Sequence, residues 1–293
     1  MKSRTLSARV SLILAFAFSL FSAAANAAPL VYVATITQQF GTIDLATGEF
    51  TPIGNGTPDA LSDLMWSPDG SSKLLSLGTS ANPGYLVWID PSSGQETPLR
   101  PVTYNGQPLG FNAFSLAELH GKLYLTDFSN NLYTVNFWTG VATPVGPNGG
   151  TTGLRPDANV PFTYNADGTF NLCDEGLYGS EGKLYATFDT FAITTDPTQA
   201  TRVHNDLSPY IWQIDLVTGA ATFVANTDWQ ITAIVGSEGT FYAFKGVLGG
   251  FINGFPSAQA ELDTLDLKTG KTTHVADIDP SIGIILGAVP VIH

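Results

Sequence analysis

Leu132-Tyr-Thr-Val-Asn136-Phe-Trp-Thr-Gly140-Val-Ala-Thr143 decides how this chain is read, because it is one of five copies. Phe40-Gly-Thr-Ile-Asp44-Leu-Ala-Thr-Gly48-Glu-Phe-Thr51 and Leu86-Val-Trp-Ile-Asp90-Pro-Ser-Ser-Gly94-Gln-Glu-Thr97 precede it. Ile211-Trp-Gln-Ile-Asp215-Leu-Val-Thr-Gly219-Ala-Ala-Thr222 and Leu262-Asp-Thr-Leu-Asp266-Leu-Lys-Thr-Gly270-Lys-Thr-Thr273 follow it. In every copy an Asp or Asn stands four residues before the Gly, and a Thr stands three after it. This spacing reads as strand, tight turn, strand. The Asp or Asn accepts backbone N–H groups inside the turn. The Gly supplies the positive φ that closes the loop. A role repeated five times is structural, so Asp44, Asp90, Asn136, Asp215 and Asp266 are expected to be turn residues.

A second unit precedes four of these five. It is an apolar stretch, an x-Gly turn and an aromatic strand, as in Leu116-Ala-Glu-Leu-His-Gly121-Lys-Leu-Tyr-Leu125 and Leu177-Tyr-Gly-Ser-Glu-Gly182-Lys-Leu-Tyr-Ala186. Ile234-Val-Gly-Ser-Glu-Gly239-Thr-Phe-Tyr-Ala243 is a third, and Met65-Trp-Ser-Pro-Asp-Gly70 with Lys73-Leu-Leu is a longer fourth. Together the two units make four antiparallel strands, a to d. The turn glycines recur at intervals of 46, 46, 79 and 51 residues. Four-stranded units at a period of ~40–50 residues mark a radial all-β architecture. The chain therefore resembles the β-propeller superfamily over nearly its whole mature length. It looks more like the degenerate Tyr-rich, Asp-x-x-x-Gly repeats of secreted bacterial propellers of unassigned role. It does not match the WD or kelch signatures, and no enzyme family is identified.

Four complete blades fit within residues 61–277, and Val31 to Gly54 offers only strands b, c and d. The missing strand a is available in Ile282 to Ile292, so the C-terminal strand is expected to close the ring beside the N-terminal blade. This gives a five-bladed propeller. The 79-residue interval leaves room for a degenerate sixth blade as the alternative.

Composition agrees and excludes other classes. The 293 residues are 44% hydrophobic, 11% aromatic and 13% charged. Such a chain is too apolar and too weakly charged to be disordered. One cysteine, Cys173, rules out a disulfide framework and Cys-rich zinc. Twelve basic residues against 25 acidic ones argue against nucleic acid as a partner.

Residues 1–27 read as a signal peptide. Lys2, Arg4 and Arg9 form a basic start, Val10 to Phe21 is apolar, and Ala25-Asn26-Ala27 fits the cleavage pattern. The apolar run is too short to span a bilayer, which needs ~20 residues. Residues 28–293 are then one exported propeller domain, periplasmic or extracellular, with no membrane span after cleavage. Cleavage leaves 9 basic residues against 25 acidic, a formal charge of −16.

The order a-b-c-d puts the a–b and c–d turns on one side of each sheet and the b–c and d–a connections on the other. The first set is short. The long insertions, 146–173, 189–209 and 245–261, and the shorter 100–112, all belong to the second. That side is expected to bind a small ligand, a glycan or an extracytoplasmic protein. Residues 161–172 read as a small extra hairpin within the first insertion. The ligand-binding candidates are Asn112, Arg155, Tyr164, Arg202, His204 and Trp229, which bring aromatic faces beside polar groups.

Aligned on the x-Gly turn, Asp63, Phe114, Glu175 and Thr232 are equivalent inner-strand positions. Asp63, Asn112 and Glu175 suit a hard cation such as Ca²⁺, which takes oxygen ligands. Asp63, Asp174 and Glu175 are the catalytic candidates for a hydrolase or lyase acting on a saccharide or lactone. Five-bladed glycosidases use three carboxylates near the axis, but blades three and five here offer no matching acid. The remaining reading is a structural envelope protein with no small ligand. His274 lies in a d strand, and no two histidines have metal-ligand spacing.

Overall fold

A computed structural model describes residues 29–57, 59, 61–79, 81–110, 113–127, 131–146, 169–194, 210–227, 231–246 and 260–292. For 114, 169–175, 188–194, 210 and 260 it describes the backbone alone. Blade one contains β1 (Leu30–Thr35), β2 (Phe40–Asp44) and β3 (Phe50–Pro52). Blade two is β4 (Leu61–Trp66), β5 (Leu74–Gly78), β6 (Tyr85–Ile89) and β7 (Glu96–Pro101). A two-stranded hairpin, β8 (Thr103–Tyr104) and β9 (Gln107–Pro108), precedes blade three. Blade three is β10 (Ala113–Leu119), β11 (Lys122–Asp127), β12 (Leu132–Val135) and β13 (Ala142–Pro144). Blade four is β14 (Thr169–Ser180), β15 (Lys183–Thr194), β16 (Tyr210–Ile214) and β17 (Ala221–Asn226). Blade five is β18 (Ile231–Ser237), β19 (Thr240–Lys245), β20 (Ala260–Leu265) and β21 (Thr272–Ile278).

The last strand, β22 (Ile285–Pro290), pairs antiparallel with β1 from Val31↔Pro290 to Thr35↔Ile285 and becomes the inner strand of blade one. The inner strands then meet in a cycle: β22 with β4, β4 with β10, β10 with β14, β14 with β18, and β18 with β22. This is a five-bladed β-propeller closed by its C-terminal strand. Among the described residues there are five four-stranded sheets, so the sixth blade is not found there.

The core lies between blades. One cluster joins blades one and two through Phe40, Val289, Leu61 and Leu74. Others join two and three (Leu77, Leu86, Leu116, Leu125), three and four (Leu119, Leu132, Leu177, Leu184), four and five (Ile211, Tyr185, Ile234, Leu265), and five and one (Val33, Ile43, Phe244, Leu262). Successive strand residues point to opposite faces. Val31 and Val33 of β1 therefore enter the cluster shared with blade five, whereas Ala34 enters the one shared with blade two. Both faces of a blade are buried, which explains why the strands read as apolar runs.

The five repeated turns form as their spacing requires. Oδ1 of Asp44, Asp90, Asn136, Asp215 and Asp266 accepts the backbone N–H two residues on, at 2.8–2.9 Å. Each turn glycine N–H donates to the backbone oxygen of the same Asp or Asn at 2.8 Å. The backbone and hydroxyl donors hold the Asp90, Asp215 and Asp266 carboxyls below the usual carboxylate range. For Asp90 the first cause is the Ser92 hydroxyl, for Asp215 the Thr218 N–H, and for Asp266 the Lys268 N–H.

The same glycines make a second contact that the turn alone does not demand. A Cβ on Gly48 would stand 2.9 Å from the Asp277 oxygen, on Gly94 3.2 Å from Ile53 O, and on Gly219 2.8 Å from Val145 O. On Gly140 and Gly270 it would overlap the Pro101 and Asn226 oxygens. Each oxygen belongs to the outer strand of the preceding blade or to the residue or two beyond it. Every c–d turn is thus seated against its neighbour, and Gly48 on Asp277 closes the circle.

Blade four differs from the expected insertion boundaries. β14 begins at Thr169 and β15 runs to Thr194, paired without a register shift from Thr169↔Thr194 to Ser180↔Lys183. Strand therefore extends into both insertions expected at 146–173 and 189–209. Thr169 to Leu172, expected as the second arm of a small hairpin, pair with Phe191 to Thr194. The first arm lies outside the described residues. The insertion expected at 245–261 is likewise shortened at both ends, because Lys245 closes β19 and Ala260 and Glu261 open β20.

Candidate functional site

The inner strands carry the sequence candidates. Asp63 lies in a bulge of β4, where the register shifts between Ser62 and Met65, and its φ is +59°. Equivalent shifts occur at Ala113/Ser115 in β10 and Ile231/Ala233 in β18, so Asp63, Phe114 and Thr232 do occupy matching places. Bulges re-aim a side chain. Asp63 Oδ2 accepts the Ser115 hydroxyl at 2.7 Å, the Leu116 N–H at 2.7 Å and the Ser62 hydroxyl at 3.2 Å. Ser115 Oγ in turn accepts the Leu177 N–H at 2.7 Å. One carboxylate oxygen thereby ties β4 to β10, and Ser115 ties β10 to β14. Ser115 itself is fully buried.

Asp174 and Glu175 occupy β14, in register with Asp189 and Phe188. Their side chains lie outside the described residues, as do Asn112, Arg155, Tyr164, Arg202, His204 and Trp229. Of the Ca²⁺ set Asp63, Asn112 and Glu175, Asp63 is the member whose contacts are described. It is already a hydrogen-bonded link between blades.

A cavity of about 260 Å³ runs along the axis, lined by one stretch of each inner strand. It extends from Asp63 past Met65, Leu116, Leu177 and Val235 to Val289. The stretches are the C-terminal parts of the inner strands, four of which lead to a–b turns and the fifth, β22, to the C-terminus. This cavity therefore lies towards the short-turn side, not at the mouth bearing the long connections. Its volume falls below the ~300–1,000 Å³ of typical ligand pockets. Burial pushes up the Tyr178 hydroxyl beside it.

Two carboxylates that the sequence reading passed over meet at the joint of blades one and two. Asp59 is wholly buried and accepts the Thr79 N–H at 3.2 Å and the Asn82 N–H at 2.8 Å. Burial, and then the Asp59 charge, push the Glu96 carboxyl up to about 7. Both Glu96 oxygens are buried without a hydrogen-bond partner that meets ordinary geometry. Neither residue carries a sequence signal, because they are 37 positions apart in unrelated segments.

No family model matches the chain, and no curated protein matches it. Among solved structures, the computationally designed Ika8 protein is similar at 12% identity with a TM-score of 0.32. The match covers 88% of this chain and 61% of that one. The chain thus spans about three fifths of the designed protein's length, and a likeness this weak carries no argument. No helix among the described residues is long and apolar enough to cross a membrane.

Proposed function

We propose that this chain is an exported binding protein that holds a small polar ligand, a glycan or an extracytoplasmic protein on the b–c and d–a side of its ring. The observation that carries this reading is the unequal use of the two sides. The c–d turns are consumed by structure: their Asp and Asn acceptors are filled, and their glycines are seated on neighbouring blades. The long connections leave from the other side, where Arg155, Tyr164, Arg202, His204 and Trp229 fall in sequence. Loops on a rigid scaffold are where binding residues concentrate.

The engagement of Asp63 by Ser115 and Leu116 favours this reading over a hydrolase or lyase at the axis. A carboxylate fixed between backbone and hydroxyl donors is a poor proton shuttle. Ca²⁺ at Asp63, Asn112 and Glu175 belongs to the same proposal.

The test is a glycan array and a Ca²⁺ thermal-shift titration on the mature chain. A glycan hit should be lost in Arg155→Ala and Arg202→Ala, and a Ca²⁺ shift in Asn112→Ala, with the unfolding midpoint kept within a few degrees. No hit on either assay, with turnover of chromogenic glycosides that Asp63→Ala and Glu175→Ala abolish, would replace binding by catalysis. Export is tested separately: expression of the full chain in a Gram-negative host should give a periplasmic product beginning at Ala28.

A further inference from the structure

We propose that blade five carries a divalent transition-metal site built from Glu261, Asp263 and His274, independent of the loop-side binding reading. Glu261 and Asp263 are two apart on β20, so they share one face of the strand. Asp263 stands opposite His274 of β21, after a register shift between Leu262 and Asp263. One ligand atom from each of the three side chains lies within 4.8 Å of the other two. A shared ion at ~2.0–2.2 Å from each is compatible with that separation.

The state of Asp263 points to a ligand rather than to a chance cluster. Its side chain is only 2% exposed. Oδ2 is held by the buried Lys245 ammonium at 2.5 Å, which fixes the plane of the carboxylate. Oδ1 accepts no hydrogen bond, although it is buried. His274 Nδ1 stands 3.5 Å from that same oxygen. A buried carboxylate oxygen without a donor is costly, and a cation removes the cost.

The surroundings complete the arrangement. Asp277 Oδ1 lies 3.6 Å from His274 Nε2, on the far side of the ring. A carboxylate there favours the proton on Nε2 and leaves the Nδ1 lone pair for a metal, the usual outer partner of a ligating histidine. Lys245 formally balances one of the three carboxylates of Glu261, Asp263 and Asp277, which leaves a local deficit of two positive charges. One imidazole with two carboxylates suits Zn²⁺ and its neighbours Co²⁺ and Ni²⁺ better than Ca²⁺, which prefers oxygen alone. Three protein ligands leave a fourth position for water or a ligand atom.

The experiment uses the tag-free mature chain, stripped with chelator, and titrates Zn²⁺ by calorimetry and Co²⁺ by visible absorption. One ion per chain should bind saturably. His274→Gln and Glu261→Gln should each weaken binding by ~100-fold or more, and Asp277→Asn by ~10–100-fold, the range for outer partners. His274 and Asp277 are exposed, so those two variants should keep the metal-free unfolding midpoint and decide the matter even if Glu261→Gln misfolds. No saturable uptake, or equal uptake by wild type and His274→Gln, would overturn the proposal.

Discussion

The a–b turns and the c–d turns look alike in sequence, yet their glycines do different work. Gly121, Gly182 and Gly239 follow His120, Glu181 and Glu238, and both residues of each pair have positive φ. This is the two-residue primed turn that matches strand twist. A Cβ on Gly121 or Gly239 would meet nothing within 4 Å, and on Gly182 only the His120 ring. Gly48, Gly94, Gly140, Gly219 and Gly270 have the same sign of φ, but each also lies against an oxygen of the preceding blade. The first set caps a hairpin. The second set caps a hairpin and joins two blades. A conformational requirement and a packing requirement have been merged at one residue, and only the second makes a ring.

The largest expected effect comes from breaking the closure itself. Truncation after Gly283 removes β22, which leaves β1 without its inner partner and strips Ile285 and Val289 from two inter-blade clusters. The joint of Gly48 on Asp277 would then be the main tie between blades five and one. If joints need the inner strand, the truncated chain loses its cooperative transition, since the loss exceeds a net stability of ~5–15 kcal/mol. A sharp thermal transition near the wild-type midpoint would mean that the outer joints suffice.

Asp63 is the inner-rim counterpart of those joints. Asp63→Ala leaves the Leu116 N–H and the Ser115 hydroxyl without their acceptor, at a cost of ~2–3 kcal/mol. Chemical denaturation should show that loss, and a change under ~0.5 kcal/mol, the scatter of ordinary surface substitutions, would deny Asp63 its linking role.

Glu96 makes one joint sensitive to pH, because it lies two residues past Gly94. Its folded pKa of about 7 stands above the ordinary 4.5. The folded state therefore holds the proton more tightly, and stability is full below pH 4.5 and falls as pH rises through 7. Water reaching the half-buried side chain reduces the loss to ~1 kcal/mol. Glu96→Gln should flatten the decline in midpoint between pH 5 and 8 and raise the midpoint at pH 8. Parallel pH curves for variant and wild type would remove the assignment.

The smallest effect belongs to the a–b turns. Glu238 has φ +50°, where Asn is better tolerated than Glu. Glu238→Asn should stabilise by ~0.5 kcal/mol, read as a higher denaturation midpoint with unchanged slope. Destabilisation would show that Glu238 does more than turn the chain.

The ring was legible in the sequence because its cause is local and repeated. Five Asp/Asn-x-x-x-Gly turns and the apolar runs around them carry period, strand order and closure. What was not legible depends on which side chains meet across strands and blades. Asp63 reads as an isolated acid until the β4 bulge turns it onto Ser115. Glu96 and Asp59 meet only because the chain leading into β4 packs against its own blade. His274 reads as a strand histidine until β20 and β21 are set in register. The alternation of Glu261 and Asp263, with His274 across the hairpin, could have marked that cluster had the ladder been drawn first. The length of β14 and β15 was hidden because polar residues such as Asn171, Asp174 and Asp189 interrupt the apolar pattern.

The joining role of the c–d glycines is tested most directly by one matched pair, Gly270→Ala and Gly239→Ala, compared by chemical denaturation. Both force alanine into left-handed backbone, a cost of ~1–2 kcal/mol. Only Gly270→Ala also drives a methyl into the Asn226 oxygen, which adds ~1–3 kcal/mol for the shift it forces. Gly270→Ala should be the more damaging by ~2 kcal/mol. Equal losses would show that the repeated glycine serves its own turn alone and that the c–d turns are not the joints of the ring.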